Sequence, residues 1–278
     1  MNDYLKIIKV LYYITQYAQK RPSTQKLANI AGINTYNFEQ KFINWVGITP
    51  KSYLECLNPK NKKMILQESR NIMAITNETA PPIKRSSYKF CIKLVTANPT
   101  EIKNGGEALD ISYDFGPTPF GECLLAKASK GICHLAFIDQ NERKATFNRL
   151  KELWPMARFL PQKKEIHQLI NKIFNPLWRD KNLTFNLYTP STYLQARVWS
   201  ALISIPEGHT ISYSELAKSV QRSQASRAIG NILSKNQIAY LIPCHRVIRS
   251  SGIIGNYRWG SQRKKSLLTF ERARNLPK

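Results

Sequence analysis

The sequence predicts a multi-domain chain of α and α+β structure: an N-terminal all-α helix-turn-helix module, an α+β middle domain, and a C-terminal, mostly helical, winged-helix-like domain. Three observations carry this reading. Apolar residues recur at helical spacing through residues 4–70. Three strand-like runs with turn residues between them fill residues 109–138. Beyond residue 195 helical spacing returns, with a second pair of short helices joined by a turn. The expected boundaries are 1–74, 75–107 for a linker with an edge strand, 108–190 and 191–278. At ~150 residues per domain, 278 residues make about two domains, or three small ones.

In the first unit, Leu5, Ile8, Leu11, Tyr12 and Ile14 form one helical stripe. Pro22-Ser23-Thr24 then offers a helix start with Ser23 or Thr24 as cap. Leu27, Ala28 and Ala31 lead into Gly32-Ile33-Asn34 and a helix carrying Phe38 and Phe42, the turn falling at Gly32 and Asn34 serving as cap. Pro81-Pro82, Asn98-Pro99 and Asn104-Gly105-Gly106 are linker signals, interrupted by the alternation of Tyr88, Phe90, Ile92 and Leu94 with polar neighbours, which predicts a strand at a sheet edge. Strands follow at Leu109–Tyr113, Glu122–Ala128 and Gly131–Ile138, with turns at Gly116-Pro117 and Lys130-Gly131. Helices are expected near 141–153 and 162–174, and a strand at Leu183–Leu187. Val198, Trp199, Leu202 and Ile203 mark the next helix; Tyr213–Val220 and Ala225–Ser234 form the second helix-turn-helix pattern, which is not a close repeat of the first.

Lys and Arg number 42 against 18 Asp and Glu, a formal charge of +24 that points to polyanions as partners, with nucleic acid ahead of membrane. The excess is steepest in residues 221–278, where Glu271 is the only acid. No apolar run reaches the ~18 residues of a membrane span. Five cysteines (Cys56, Cys91, Cys123, Cys133, Cys244) without paired spacing fit neither a disulfide framework nor a zinc site, so no metal or cofactor is expected and a cytoplasmic setting fits best. Cys123 and Cys133 fall in apolar strand-like runs and read as core.

The sharpest feature is Ile242-Pro243-Cys244-His245-Arg246-Val247. A cysteine beside a histidine and arginines is a place to make a thiolate. Neighbours in an extended chain point oppositely, so His245 is expected to reach Cys244 through a water or a bend, with Glu271 as its orienting carboxylate. A lone Cys-His pair is usually incidental, but the surrounding motifs are ordered: Val198-Trp199-Ser200-Ala201-Leu202, Ile205-Pro206-Glu207-Gly208, Ser212-Tyr213-Ser214-Glu215-Leu216-Ala217, Ser226-Arg227-Ala228-Ile229-Gly230-Asn231, Lys235-Asn236, Ser251-Gly252-Ile253-Ile254-Gly255-Asn256-Tyr257, and Lys265-Ser266-Leu267-Leu268 to Glu271. With these, residues 109–278 resemble the 6-O-methylguanine-DNA methyltransferase family.

The resemblance implies direct-reversal repair. An alkylated guanine is flipped from duplex DNA, Cys244 takes the alkyl group, and the thioether ends the protein's activity after one turnover. Whether 4-O-methylthymine is also accepted is left open. It implies that His245 activates Cys244 through a water, that Glu271 orients His245, and that Tyr213 donates a hydrogen bond to the departing guanine. Arg227 would fill the gap left by the base, with Ser226, Ala228 and Gly230 allowing close minor-groove approach. Asn236 would pin the turn into the active-site strand, and Pro243, Val247, Tyr257 and Arg258 would line the base pocket. On the residues alone, a phosphate contact for Arg227 and a core tyrosine for Tyr213 are credible and lose weight in context, while Arg246 is equally an ion pair or a phosphate contact. Two positions depart from the family pattern: Ser191-Thr192-Tyr193-Leu194-Gln195 replaces Gly-Thr-x-Phe-Gln, and Asn236-Gln237 replaces Asn-Pro.

Pro22 to Ala28, Ala31-Gly32-Ile33-Asn34, Phe38 to Phe42 and Gly47 to Leu54 resemble the AraC type of regulator, and the fusion resembles Ada-type adaptive-response proteins. Their four-cysteine zinc domain is not expected in this sequence. Exposed positions on the recognition helix would be Thr35, Tyr36, Asn37, Glu39, Gln40 and Lys41, poor in the arginines that read guanine. Expected partners are therefore duplex DNA with alkylated guanine and, through this module, promoter DNA, bound by a monomer. The competing readings are a transcription regulator that uses Cys244 as an alkylation sensor, and a silent lesion binder, which the presence of Cys244 disfavours.

Overall fold

The computed structural model describes residues 3–46, 48–57, 91–139, 141–175 and 183–275. The Pro81-Pro82 turn and the start of the expected edge strand, Tyr88–Phe90, lie outside them.

Four helices open the chain: α1 (Asp3–Tyr17), α2 (Thr24–Ala31), α3 (Thr35–Val46) and α4 (Pro50–Leu57). Ile7, Val10, Leu11 and Ile14 bury one stripe of α1. Ser23 Oγ caps α2 by accepting from Lys26 N at 3.2 Å. Gly32 ends α2 at φ +66°, a left-handed turn that a Cβ would strain. Asn34 Oδ1 then accepts from Asn37 N at 2.8 Å and starts α3, which buries Phe38, Phe42, Trp45 and Val46. On α3, Tyr36, Asn37 and Gln40 are exposed, whereas Thr35, Glu39 and Lys41 are half-buried.

A six-stranded mixed sheet follows, in the order β1-β6-β4-β3-β2-β5. Its strands are β1 (Cys91–Thr96), β2 (Asp110–Thr118), β3 (Gly121–Ala128), β4 (Gly131–Ile138), β5 (Arg158–Pro161) and β6 (Thr184–Thr189). The meander β2-β3-β4 is antiparallel; β1, β5 and the β4–β6 contact are parallel. The short α5 (Pro99–Lys103) follows β1. α6 (Arg143–Leu153) covers β3 and β4, and α7 (Lys163–Phe174) lays Ile166, Ile170, Ile173 and Phe174 on β2 and β3. β1 is an edge strand of this sheet, so residues 91–96 of the expected linker are part of it.

Two sequence expectations change here. Gly116-Pro117 is not a turn but lies inside β2. β5 pairs only with Asp110–Tyr113, so Pro117 sits where one side of β2 is unpaired and its missing N–H costs nothing. At Gly116 a Cβ would lie 2.6 Å from the tip of Ile170 on α7, so a larger residue there would displace that side chain. β5 itself carries only four residues and gave no periodic signal.

The last segment is helical: α8 (Tyr193–Ser204), α9 (Tyr213–Ser219), α10 (Ser226–Ser234) and α11 (Ser261–Asn275), with a two-strand pair β7 (Ile211–Ser212) and β8 (Val247–Ile248). Thr192 and Ser212 form reciprocal capping boxes with Gln195 and Glu215. The N-terminal helices do not stand apart. α1, α3 and α4 pack on α11, Tyr53 Oη donates to the Ser266 carbonyl at 3.2 Å, and one apolar core runs from Ile7 to Ala273. Among the described residues no helix is long and apolar enough to cross a membrane.

Candidate active site

Leu135 of β4 stitches the site to the sheet: its N–H donates to the Gln237 carbonyl at 3.0 Å and its carbonyl accepts from Ala239 N at 2.7 Å. The chain then turns through Ile242-Pro243 into a single 3-10 turn, Cys244–Arg246. This corrects the expectation of an active-site strand. A 3-10 turn places successive side chains about 120° apart, so Cys244 and His245 face different directions and share no hydrogen bond.

Asn236 is fully buried and holds both ends of this turn. Its Nδ2 donates to the Ile242 carbonyl at 3.0 Å and to Cys244 Sγ at 3.2 Å, and its Oδ1 accepts from Ile238 N at 2.9 Å. Pro243 is the residue before the turn. Cys244 keeps 5% exposure. Burial pushes its thiol up, opposed by the Asn236 bond and the charges of Lys264 and Arg258. The resting group is therefore a thiol, not the thiolate that the neighbouring basic residues led us to expect.

The reason lies in what those residues hold. His245 Nε2 is 2.7 Å from Glu271 Oε1, both side chains fully buried. Arg246 clamps the same carboxylate, Nε to Oε2 at 2.9 Å and Nη2 to Oε1 at 2.8 Å, while its Nη1 donates to the Ile205 carbonyl at 2.6 Å. Gly208 N donates to Oε2 at 3.2 Å. Arg246 is thus an ion-pair residue. Burial works against the charge on Glu271, yet Arg246 and His245 hold its carboxyl far below the usual carboxylate range. Burial pushes His245 down, opposed by Glu271, so the imidazole is neutral near pH 7. With Nε2–H given to the carboxylate, Nδ1 keeps its lone pair and has no partner among the described residues. Tyr240 stacks parallel to the imidazole at 6.1 Å and Tyr257 meets it edge-on at 6.3 Å.

The parallel pairing of Ile211 with Val247 and Ser212 with Ile248 brings Tyr213, at the start of α9, alongside Cys244. Burial and the nearby Cys244 raise the Tyr213 phenol. Gly255, whose φ of +69° favours glycine, lies beside it, with its Cβ position 3.9 Å from Tyr213 Oη. On α10, Arg227 and Ala228 are exposed, and Ser226 and Gly230 half-buried with Gly230 under the Tyr213 ring. Arg258 Nη1 donates to the carbonyls of Ser234 and Asn236 at 3.0 and 3.1 Å. The Tyr257 hydroxyl is buried and has no hydrogen-bond partner among the described residues.

Sequence reasoning missed Lys264. It is buried, and its Nζ donates to the carbonyls of Val247 at 2.6 Å and Asn256 at 3.4 Å, tying α11 to both sides of the site. Burial, opposed by Cys244, lowers it to about 8. The signal was its register: Lys264 lies seven residues before Glu271, with Leu267 and Leu268 between on the same face. Arg263 beside it donates to the Phe120 and Trp259 carbonyls and pairs with Asp139 at 2.9 Å, fixing α11 to the sheet. Cys123 and Cys133 are core residues; burial raises both thiols, Cys133 to about 12. Among the described residues no cluster of His, Cys, Asp and Glu could hold a metal ion.

Residues 193–273 match the 6-O-methylguanine DNA methyltransferase, DNA binding domain. The chain is 28% identical over 268 residues, 96% of its length and 75% of the relative, to the bifunctional transcriptional activator/DNA repair enzyme Ada of Escherichia coli. The crystal structure of Mycobacterium tuberculosis OGT in complex with DNA is similar over 59% of this chain and 94% of that one, at 30% identity and a TM-score of 0.46. The methylated-DNA–protein-cysteine methyltransferase of Methanosarcina mazei is 34% identical over 161 residues, 57% of this chain and 96% of that protein. With a third of the positions shared across almost the whole of such a relative, the chain belongs to the methylated-DNA–protein-cysteine methyltransferase family.

Proposed function

We propose that this protein repairs DNA by direct reversal, moving the alkyl group of 6-O-methylguanine onto Cys244 once per molecule. The observation that carries the reading is the constellation around one thiol: Asn236 bonded to Cys244, and His245 and Arg246 on the buried Glu271. The Sγ–carbon bond forms as the O6–carbon bond breaks. The thiol proton passes through a water to His245 Nδ1, and the departing guanine gains a proton with Tyr213 Oη as donor; in sum the thiol's proton ends on the restored base. No cofactor takes part. Because both partners rest neutral, deprotonation accompanies attack rather than preceding it.

Exposed Arg227 enters the duplex in place of the flipped base, and Ser226, Ala228 and Gly230 let α10 approach the minor groove. Pro243, Val247, Tyr257 and Arg258 shape the base pocket. The working division is 1–74 for an AraC-like helix-turn-helix unit, 75–107 as connection, 108–190 for the sheet unit and 191–278 for the DNA-binding, active-site unit, all acting as a cytoplasmic monomer. The likeness to a transcriptional activator over 96% of the chain supports a second role, binding promoter DNA through α2 and α3. Footprinting on the gene's own upstream DNA tests it.

The deciding experiment is intact mass after incubation with an oligonucleotide carrying 6-O-methylguanine. A gain of one methyl, abolished in Cys244→Ser while duplex binding persists, is expected. No mass gain, or equal gain by the serine variant, refutes the assignment.

A further inference from the structure

At the edge of the site, Arg258 and two cations outside it form a group with no ion pair among the described residues. Arg149 lies on α6 four residues before Leu153, hence on the same face. Leu153 lines a cavity of about 200 Å³ together with Lys235, Asn236 and Gln237. Arg258 donates to the carbonyls of Ser234 and Asn236, on either side of Lys235 in the chain. Arg149, Lys235 and Arg258 are therefore neighbours contributed by three separate segments. All three are exposed, and among the described residues none has an ion-pair partner. Past residue 220 the sole acid is Glu271, which is buried in its own ion pair.

The mutual repulsion is visible in the local chemistry. After burial, Arg149 is what most lowers the Arg258 guanidinium. Near Arg258 and Arg149, His134 of β4 is buried with neither ring nitrogen bonded among the described residues. A surface lined by one sign of charge focuses its field and concentrates ions of the opposite sign. The group also continues the proposed DNA contact: Arg227 and Lys235 stand at opposite ends of α10, about 12 Å apart at 1.5 Å per residue. That length covers three to four phosphates of one strand at ~3.4 Å each.

We propose that Arg149, Lys235 and Arg258 form a phosphate track that carries the DNA interface from α10 onto α6 of the sheet unit. The sheet unit is then a second wall of the duplex-binding surface, and its task is backbone contact without base reading. The proposal rests on duplex DNA being the substrate.

The test is fluorescence anisotropy with an undamaged duplex between 50 and 200 mM salt. Arg149→Ala is expected to lower the slope of log affinity against log salt by about one, the share of one phosphate contact. Arg149→Glu should bind roughly tenfold or more weakly, and Arg149→Lys should keep the parent slope. Lys144→Ala, on the same helix but roughly 140° round it, should leave the slope unchanged. Transfer at saturating methylated duplex should not differ among these variants. An unchanged slope in Arg149→Ala, or an equal drop in Lys144→Ala, overturns the track while leaving repair intact. A parent protein that neither binds duplex nor gains a methyl overturns both readings.

Discussion

Replacing Glu271 by Gln tests the arrangement most directly. Each carboxylate oxygen faces two groups: Oε1 meets His245 Nε2 and Arg246 Nη2, and Oε2 meets Arg246 Nε and Gly208 N. A glutamine keeps the shape but must turn its NH2 toward one of these pairs. Turned toward Oε2's partners, it sets N–H against N–H. Turned toward Oε1's, it lets the imidazole take the other tautomer, with its proton on Nδ1 and no lone pair left for the thiol. Arg246 meanwhile stays buried without its counter-charge. Removing one member of a buried ion pair costs about 3–5 kcal/mol, and at about 2–4 °C per kcal/mol the melting temperature should fall by roughly 10 °C. General-base catalysis contributes about 10²–10⁴, so transfer should slow by that factor. Rapid-quench single-turnover transfer at 15 °C, with thermal melts by circular dichroism, reads both quantities. A folded variant that transfers within threefold of the parent rate would show that the carboxylate does not set the imidazole's working state.

Tyr213→Phe should slow transfer roughly a hundredfold while changing duplex affinity less than twofold, because a donor to a leaving group matters as charge develops; an equal loss in affinity and rate would refute the role. His134 should make the protein acid-sensitive. Burial, then Arg258 and Arg149, lower its imidazole to about 3, against ~6.5 in the unfolded chain. Between those values the unfolded chain binds the extra proton, so stability falls as pH falls through that window, by about 2 kcal/mol at pH 5. Urea unfolding of His134→Leu at pH 5 and 7.5 should lose this share of the pH dependence; identical dependence in both proteins would contradict it. Tyr53→Ala removes a buried ring and its bond to Ser266. It should cost about 3–5 kcal/mol and lower the melting of the transferase unit as well as the N-terminal helices, and a separate early transition confined to the latter would contradict the shared core.

The sequence by itself determined much of this protein. The helical stripes, the three meander strands and the caps at Ser23 and Asn34 were legible, because spacing and cap chemistry are local properties of a chain, and the ordered motifs singled out Cys244, His245, Glu271, Tyr213 and Asn236 as candidates. Only the tertiary structure decided the rest. Pro117 could stand within a strand because its neighbour strand ends early, and β5 exists because β2 offers it an edge. Arg246 became an ion-pair residue, Cys244 a neutral thiol and Lys264 a buried cation because charge states depend on desolvation and on partners up to 41 residues away, such as Ile205 for Arg246. The docking of α1, α3 and α4 onto α11 joins residues more than 200 positions apart, Tyr53 and Ser266 being separated by 213. Burial is a property of the surfaces that meet, and no run of residues along one segment specifies which distant surface will cover it.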